Sequence, residues 1–379
     1  EGALPPAAET HSPAGFYQGT PAASYWGIGI SPEGKQQLAG STGSNKLQSF
    51  TRNPSDGSLT LGPSFSSPDM SGILDIAYTQ DGKFVYYTST TGDGVVALQR
   101  ATDGTLSQTQ VITKSSLWLC SFQPFKLCEI GTMDNAFALE LSSDEKQLYV
   151  VSTTDSALTV LARDPVSGTL YFSQHFTRTI DGEDVLGGAG DALVSPDGKN
   201  VYVSTRSDDT VAVFTRDQSN GRLFYLRSYK DGVGGINYLD YPGNMALSSD
   251  GQFLYVPSYL NDAITVFRRA PGDGALELVE VVPNADGVFA VNLSHDAANI
   301  RLVASLYDGD AIRVYQRDAT TGKLTYLDEY SNGNGSPLDT PVRLISSADD
   351  KHVYTTLQTS NGVRLLQSIK EVKSVGRRA

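Results

Sequence analysis

Asp75, Asp191, Asn244 and Arg343 fall at one register of the chain, each six residues before an acidic residue that recurs at intervals; elsewhere that register holds Gly27, Ala138 and Ala290. Two positions further on, Glu140 and Asn292 add polar groups. A guanidinium presents a planar fork that suits a carboxylate or another anion, and a carboxylate beside it can take or return a proton. The set reads as a polar pocket in which Arg343 holds an anionic group, Asp75 or Asp191 serves as acid and base, and Asn244, Glu140 and Asn292 touch the ligand. The same side chains would also serve to hydrogen-bond neighbouring elements or to line a watery pore.

A repeated phrase places these residues in register. Residues 195–204 read SPDGKNVYVS, with relatives SPEGK at 31, TQDGK at 79, SSDEK at 142, SSDGQ at 248, SHDAA at 294 and SADDK at 347. The acid of the phrase falls at Glu33, Asp81, Asp144, Asp197, Asp250, Asp296 and Asp349, in steps of 48, 63, 53, 53, 46 and 53 residues. Such a period signals a repeat architecture. In the fourth copy, GDALVSPDG, KNVYVSTRS, DDTVAVFTRDQSNG and RLFYLRSYK are short runs rich in Val, Tyr, Phe, Leu and Thr, each closed by a turn, which is the pattern of four antiparallel strands. One such sheet cannot cover both its faces, so seven must pack face to face and close radially. The expected fold is all-β, a seven-bladed β-propeller with four antiparallel strands per blade. The seventh copy (KHVYTTLQ, GVRLLQSI) runs short of a fourth strand, so the ring should borrow one from around Gly15 to Gly19.

Residue types present in every copy serve the blade; types present once are free for function. Arg52, Arg100, Arg163, Arg216, Arg269 and Arg317 all follow the third strand and are expected to pair with acidic turns, while Tyr86, Tyr149, Tyr202, Tyr255 and Tyr354 belong to the core. Alternating strand direction puts the links between blades on one rim, together with the turns from second to third strand. The longest link, KSSLWLCSFQPFKLCEIGTMDN, carries Trp118 with Cys120 and Cys128; the link KDGVGGINYLDYPGN carries Tyr238 and Tyr241. These aromatics are candidates to meet a ligand or to pack under a lid. Seven residues between the cysteines suit neither a zinc knuckle nor a redox C-x-x-C, so a local disulfide is the favoured expectation, with two buried free thiols as the alternative. No cofactor is required, although the acidic, glycine-rich links permit calcium at Asp181, Glu183, Asp184 and Asp231.

SPDGKNVYVS, DTVAVFTRD and the following G-x-L resemble the lactonase family of seven-bladed propellers, which includes 6-phosphogluconolactonases and carboxymuconate cyclases, and also the YVTN-type surface repeats. The likeness runs over residues 26–369 and rests on blade-building residues. It implies a groove with histidine, arginine and glutamate. Of the four histidines, His11 falls in the lead, His175 in an outer strand, His295 in a first-to-second turn and His352 at a second-strand start, none at the channel mouth. With that pattern missing, the favoured expectation is an exported binding or interaction module that presents its inter-blade loops to a protein, glycan or small molecule. The alternative is a lactonase or cyclase acting on a small carboxylated lactone, sugar or muconate-like, with Arg343 on the carboxylate and Asp75 or Asp191 on the proton.

A net charge of −13 with no basic stripe argues against nucleic acid, and no long apolar run suggests membrane insertion. No G-x-S-x-G elbow, H-E-x-x-H or phosphate loop occurs. The expected organisation is a flexible Pro/Ala-rich lead over 1–14, one propeller over 15–369 and a basic tail over 370–379. A processed start, the cysteine pair and the Gly/Ser/Thr content point to a secreted, periplasmic or cell-surface protein; membership of a larger assembly stays open.

Overall fold

In the computed structural model the described residues are 16–18, 24–43, 45–67, 72–119, 127–295, 300–331 and 338–367. Among them there is no helix, and the strands form seven four-stranded antiparallel sheets, with two short hairpins in the links. The fourth copy shows the plan. Its inner strand Ala189–Val194 pairs with Asn200–Thr205, then Thr210–Arg216, then the outer Leu223–Lys230. Blade 7 takes its outermost strand from the other end of the chain: Phe16–Gln18 pairs antiparallel with Gly362–Gln367. The lead 1–14 and the tail 370–379 lie outside the described residues.

The core is divided among the interfaces between blades. Tyr149, Val151, Leu158 and Val160 of blade 3 meet Val201, Val203, Ala212 and Phe214 of blade 4, all fully buried. Each strand alternates its apolar side chains between two such interfaces, which is why the second and third strands read as nearly unbroken hydrophobic runs.

The recurring acid and the recurring arginine explain one another. Arg269 of blade 5 places Nη2 2.9 Å from Asp197 in the turn of blade 4 and donates from Nε to the Tyr202 hydroxyl at 2.9 Å. The same clasp to the preceding blade joins Arg216 to Asp144 at 2.8 Å, Arg317 to Asp250 at 3.9 Å, Arg52 to Asp349 at 3.7 Å, and Arg100 to Glu33. Arg163 departs from the pattern, standing 3.8 Å from Glu145 of its own blade while still bonding Tyr86 of the blade before. The SPDG turn therefore does more than reverse the chain: Gly198 supplies a φ of +68°, and Asp197 stitches its blade to the next.

Candidate functional site

The inner strands converge on the axis, and their ladders are interrupted at one point. The register slips between Tyr25 and Gly27, Ala136 and Ala138, Ala189 and Asp191, and Val288 and Ala290, so Trp26, Phe137, Gly190 and Phe289 are skipped. Such bulges re-aim side chains. In five of the seven blades the residue at that point and its successor divide by kind, while blades 2 and 7 carry Leu74 before Asp75 and Val342 before Arg343. Where an aromatic comes first (Trp26, Phe137, Phe289) the next residue is Gly27, Ala138 or Ala290; where Gly190 or Gly243 comes first the next is Asp191 or Asn244. Two layers result, one aromatic and one polar.

The polar layer lines a cavity of about 180 Å³ bounded by Asp75, Glu140, Asp191, Asn244, Asn292 and Arg343 together with apolar residues of the same strands. The expected pocket residues are thus brought together. Asp75 and Asp191 also bond neighbouring blades, and for Asp75 this changes the expected duty. Asp75 Oδ2 accepts the Leu139 N–H at 3.0 Å, and Asp191 Oδ2 accepts the Met245 N–H at 2.8 Å, the same bond two blades apart. Asp75 Oδ1 lies 3.2 Å from Arg343 Nη1, so this carboxylate positions the arginine instead of moving protons. Asp191 Oδ1 accepts from Asn244 Nδ2 at 3.1 Å, which leaves Asn244 Oδ1 and Arg343 Nη2 buried without a partner. Asn292 Oδ1 accepts from Ser346 Oγ at 2.6 Å.

Burial sets the proton affinities. It pushes the Glu140 carboxyl up to about 8, with Asp191 and Asp75 adding repulsion. Burial likewise raises Asp191 to about 6, against the opposing pull of Arg343 and the Met245 N–H. At neutral pH one acid is protonated and its neighbour ionised, the division of states that acid–base chemistry requires.

On the link side of this layer the channel mouth is not an open polar pocket. Trp26 meets Phe137 at 6.1 Å and Phe289 at 5.7 Å, both edge to face, across the axis. Among them lies Arg206, 7% exposed, its guanidinium carbon 4.0 Å from the centre of Phe137, 5.0 Å from Phe289 and 5.5 Å from Tyr241. Gly190 makes room for it, since a Cβ there would come within 2.7 Å of Nε. Arg206 Nε and Nη2, the two donors on one edge of the fork, are buried without a partner. Burial lowers its affinity for its proton to about 10; the Tyr241 ring and Asp191 support the charge, and Arg343 opposes it. Tyr259 and Tyr307 complete the collar, 6.0 Å apart.

Arg206 was not among the candidates drawn from the sequence, yet the copies carried the signal. The residue just after each second strand reads Thr42, Thr90, Thr153, Arg206, Tyr259, Tyr307 and Gln358 around the ring. Comparison at that register exposes blades 4 to 7 as exceptional; comparison at the inner strand alone does not.

The link residues divide. Tyr241 joins the collar, 5.7 Å from Tyr259. Tyr238 stays at the surface, 42% exposed, its backbone carbonyl accepting from Ser258 and Thr265. Trp118, expected as a ligand contact, lies away from the axis, 6.2 Å from Tyr171 and 6.4 Å from Phe172 on the outer strand of blade 3, where its hairpin covers apolar surface. Cys120 lies outside the described residues, while Cys128 faces Trp118 across that hairpin.

Asp181, Glu183 and Asp184 border an outer groove of about 670 Å³ beside Tyr225 and Arg227. They do not fit calcium. Glu183 accepts from the Tyr225 hydroxyl, Asp184 from Thr179 with Arg178 at 3.5 Å, and Asp231 is turned away to accept the Leu239 N–H at 2.8 Å. Among the described residues no group of three His, Cys, Asp or Glu side chains is arranged to hold a metal ion. Among the described residues the histidines stay clear of the axis: His175 lies 5.7 Å from Phe172, His295 bonds the Ser346 carbonyl, and buried His352 accepts from Arg52 on Nδ1, while His11 lies outside them.

Comparison with known proteins fits this architecture. The family model described as "Lactonase, 7-bladed beta-propeller" matches residues 22–182, 138–232 and 226–338. The chain is 33% identical over 91 residues to a 6-phosphogluconolactonase of Formosa agariphila, 24% of each chain. It is 26% identical over 168 residues to a probable 6-phosphogluconolactonase of Arthroderma benhamiae, 42% of this chain and 40% of that one. The matched region spans less than half the length of these relatives. A solved periplasmic gluconolactonase of Pseudomonas aeruginosa superposes with a TM-score of 0.67 at 16% identity, covering 90% of this chain and 88% of the other. A putative 6-phosphogluconolactonase of Bacteroides fragilis gives 0.66 at 18% identity over 83% and 85%. Both likenesses show the fold. The match to the lactonase model and the names of these relatives overturn the expectation of a binding module.

Proposed function

The chain belongs to the seven-bladed β-propeller lactonase family, and from that premise we propose that it hydrolyses a small lactone at the axial end of the channel. The observation that carries this reading is Asp191, a carboxylate with affinity near neutrality, in electrostatic reach of two arginines, one of which keeps an unpartnered pair of donors. In the proposed step a water oxygen bonds to the lactone carbonyl carbon while the carbonyl π pair moves onto oxygen, where the Arg206 edge stabilises it. Asp191 takes the proton released by the water. Collapse of the tetrahedral adduct breaks the ring C–O bond, and Asp191 returns the proton to the departing ring oxygen, giving a hydroxy acid. Arg343 is aimed by Asp75 and holds Asp191 ionised; Glu140, protonated, keeps a third negative charge out of the cavity.

Turnover of the full chain on a panel of five- and six-membered lactones tests the reading. Hydrolysis should be measurable and should fall in Arg206→Met and Asp191→Asn; a folded protein inert on every lactone would end it. Export and a Cys120–Cys128 disulfide belong to the same proposal, supported by the spacing of the pair within one link.

A further inference from the structure

We propose that the lactone taken here has an aromatic or otherwise apolar body and no ionised group of its own, and is neither a sugar nor a phosphate ester; this rests on the lactonase reading above. The first ground is the wall. Trp26, Phe137, Tyr241, Tyr259, Phe289 and Tyr307 surround Arg206, linked by ring contacts of 5.7 to 6.4 Å. Rings in this arrangement favour edge-to-face and offset contact with a further planar ring.

The second ground is hydrogen bonding. A sugar lactone brings several hydroxyls, and each needs a partner once it leaves water. Two of the three hydroxyls of the wall already donate elsewhere: Tyr259 to Asp308 Oδ1 at 3.1 Å and Tyr307 to Gln358 Oε1 at 2.6 Å.

Charge supplies the third. Arg206 offers one edge with two donors, enough for one carboxylate or one developing oxyanion. A phosphate dianion calls for more, and the other cations are largely taken: Arg343 holds Asp75 through Nη1 and keeps only Nη2 open, and Arg178 holds Asp208 at 2.7 Å. Lys114, on the same rim, is held between Asp93 and Asp134 at 2.8 Å from each. Asp191 below the collar and Asp308 beside it would repel a second negative charge.

The test compares kcat/KM of the full chain on dihydrocoumarin, glucono-δ-lactone and 6-phosphoglucono-δ-lactone. The aryl lactone should lead each sugar lactone by about a hundredfold, and Tyr259→Ser should cut that lead about tenfold. A sugar or phosphosugar lactone turned over as well or better overturns the proposal while leaving the lactonase reading intact. If no lactone is turned over, that reading fails, and calorimetric binding of 3-(2-hydroxyphenyl)propanoate against 6-phosphogluconate decides the chemistry of the collar. Tighter binding of the aryl carboxylate sustains it; equal, weaker or absent binding rejects it.

Discussion

Arg343 of blade 7 reaches past blade 1 to Asp75 of blade 2, closing to 3.2 Å. A Cβ on Gly27 would sit 3.2 Å from the Asp75 backbone nitrogen, tight enough to disturb the strand that carries the carboxylate. The ion pair thus ties blades that do not touch in sequence order around the ring. Removing one member leaves the other charged and buried. Arg343→Met should lower stability by about 3 kcal/mol, read by urea unfolding, and Arg343→Met combined with Asp75→Leu should recover much of the loss. A single variant as stable as the parent would show that the pair contributes little.

The channel acids give stability a definite slope with pH. Asp191 and Glu140 bind protons more tightly folded than unfolded, with affinities of about 6 and 8 against ordinary carboxyl values of 3.8 and 4.5. Their contribution is therefore complete below about pH 4 and lost as pH rises through 6 and then 8. Glu140→Gln should flatten the decline in Tm between pH 6 and 8. An unchanged slope would mean that this carboxyl titrates normally.

Catalysis should follow the same two groups in the opposite sense on the acid side. Activity should rise through about pH 6 as Asp191 ionises and fall through about pH 8 as Glu140 loses its proton. Asp191→Asn should abolish the acidic limb together with most of the rate, and the kcat/KM profile checks it.

Arg206→Met keeps the apolar contacts with Phe137 and Phe289 but removes the charge, so lactone turnover should fall about a hundredfold with little change in Tm. Arg206→Lys should not restore it, because a point charge lacks the two-donor edge. Full activity in the lysine variant would reduce the role of Arg206 to its charge alone.

Arg269 represents the structural arginines. Arg269→Ala strips Asp197, Asn200, Tyr202 and the Gly251 carbonyl of one donor group and should cost roughly 3 kcal/mol. Asp197→Ala acts at a half-exposed partner and should cost roughly 1 kcal/mol. Urea midpoints of the two variants separate these effects, and both should leave lactone kinetics close to the parent.

The blade count, the four-strand plan and the clasp between turn acid and arginine were legible because each repeats, and repetition averages out local accident. The polar ring was legible for the same reason turned around: Asp75, Asp191, Asn244 and Arg343 break a pattern set by their equivalents. What escaped was pairing across the axis. Nothing local shows that Asp75 is spent on Arg343 and on the Leu139 N–H, or that Trp26, Phe137 and Phe289 meet, since these residues lie in different blades and are brought together only by closure. Trp118 misled for a related reason: an aromatic in a long link resembles a ligand contact until the outer strand beneath it, with Tyr171 and Phe172, is in view.

The pairing of Phe16–Gln18 with Gly362–Gln367 sets an order of events at the ribosome. The strand Phe16–Gln18 must wait, unmatched, for Gly362–Gln367 to be made, so six wedges can assemble during translation while the seventh stays unfinished until that later strand has emerged. Proteolytic clipping of that waiting segment would leave the Gly362–Gln367 edge bare, and a bare edge is a template on which a second copy can lay its own early strand.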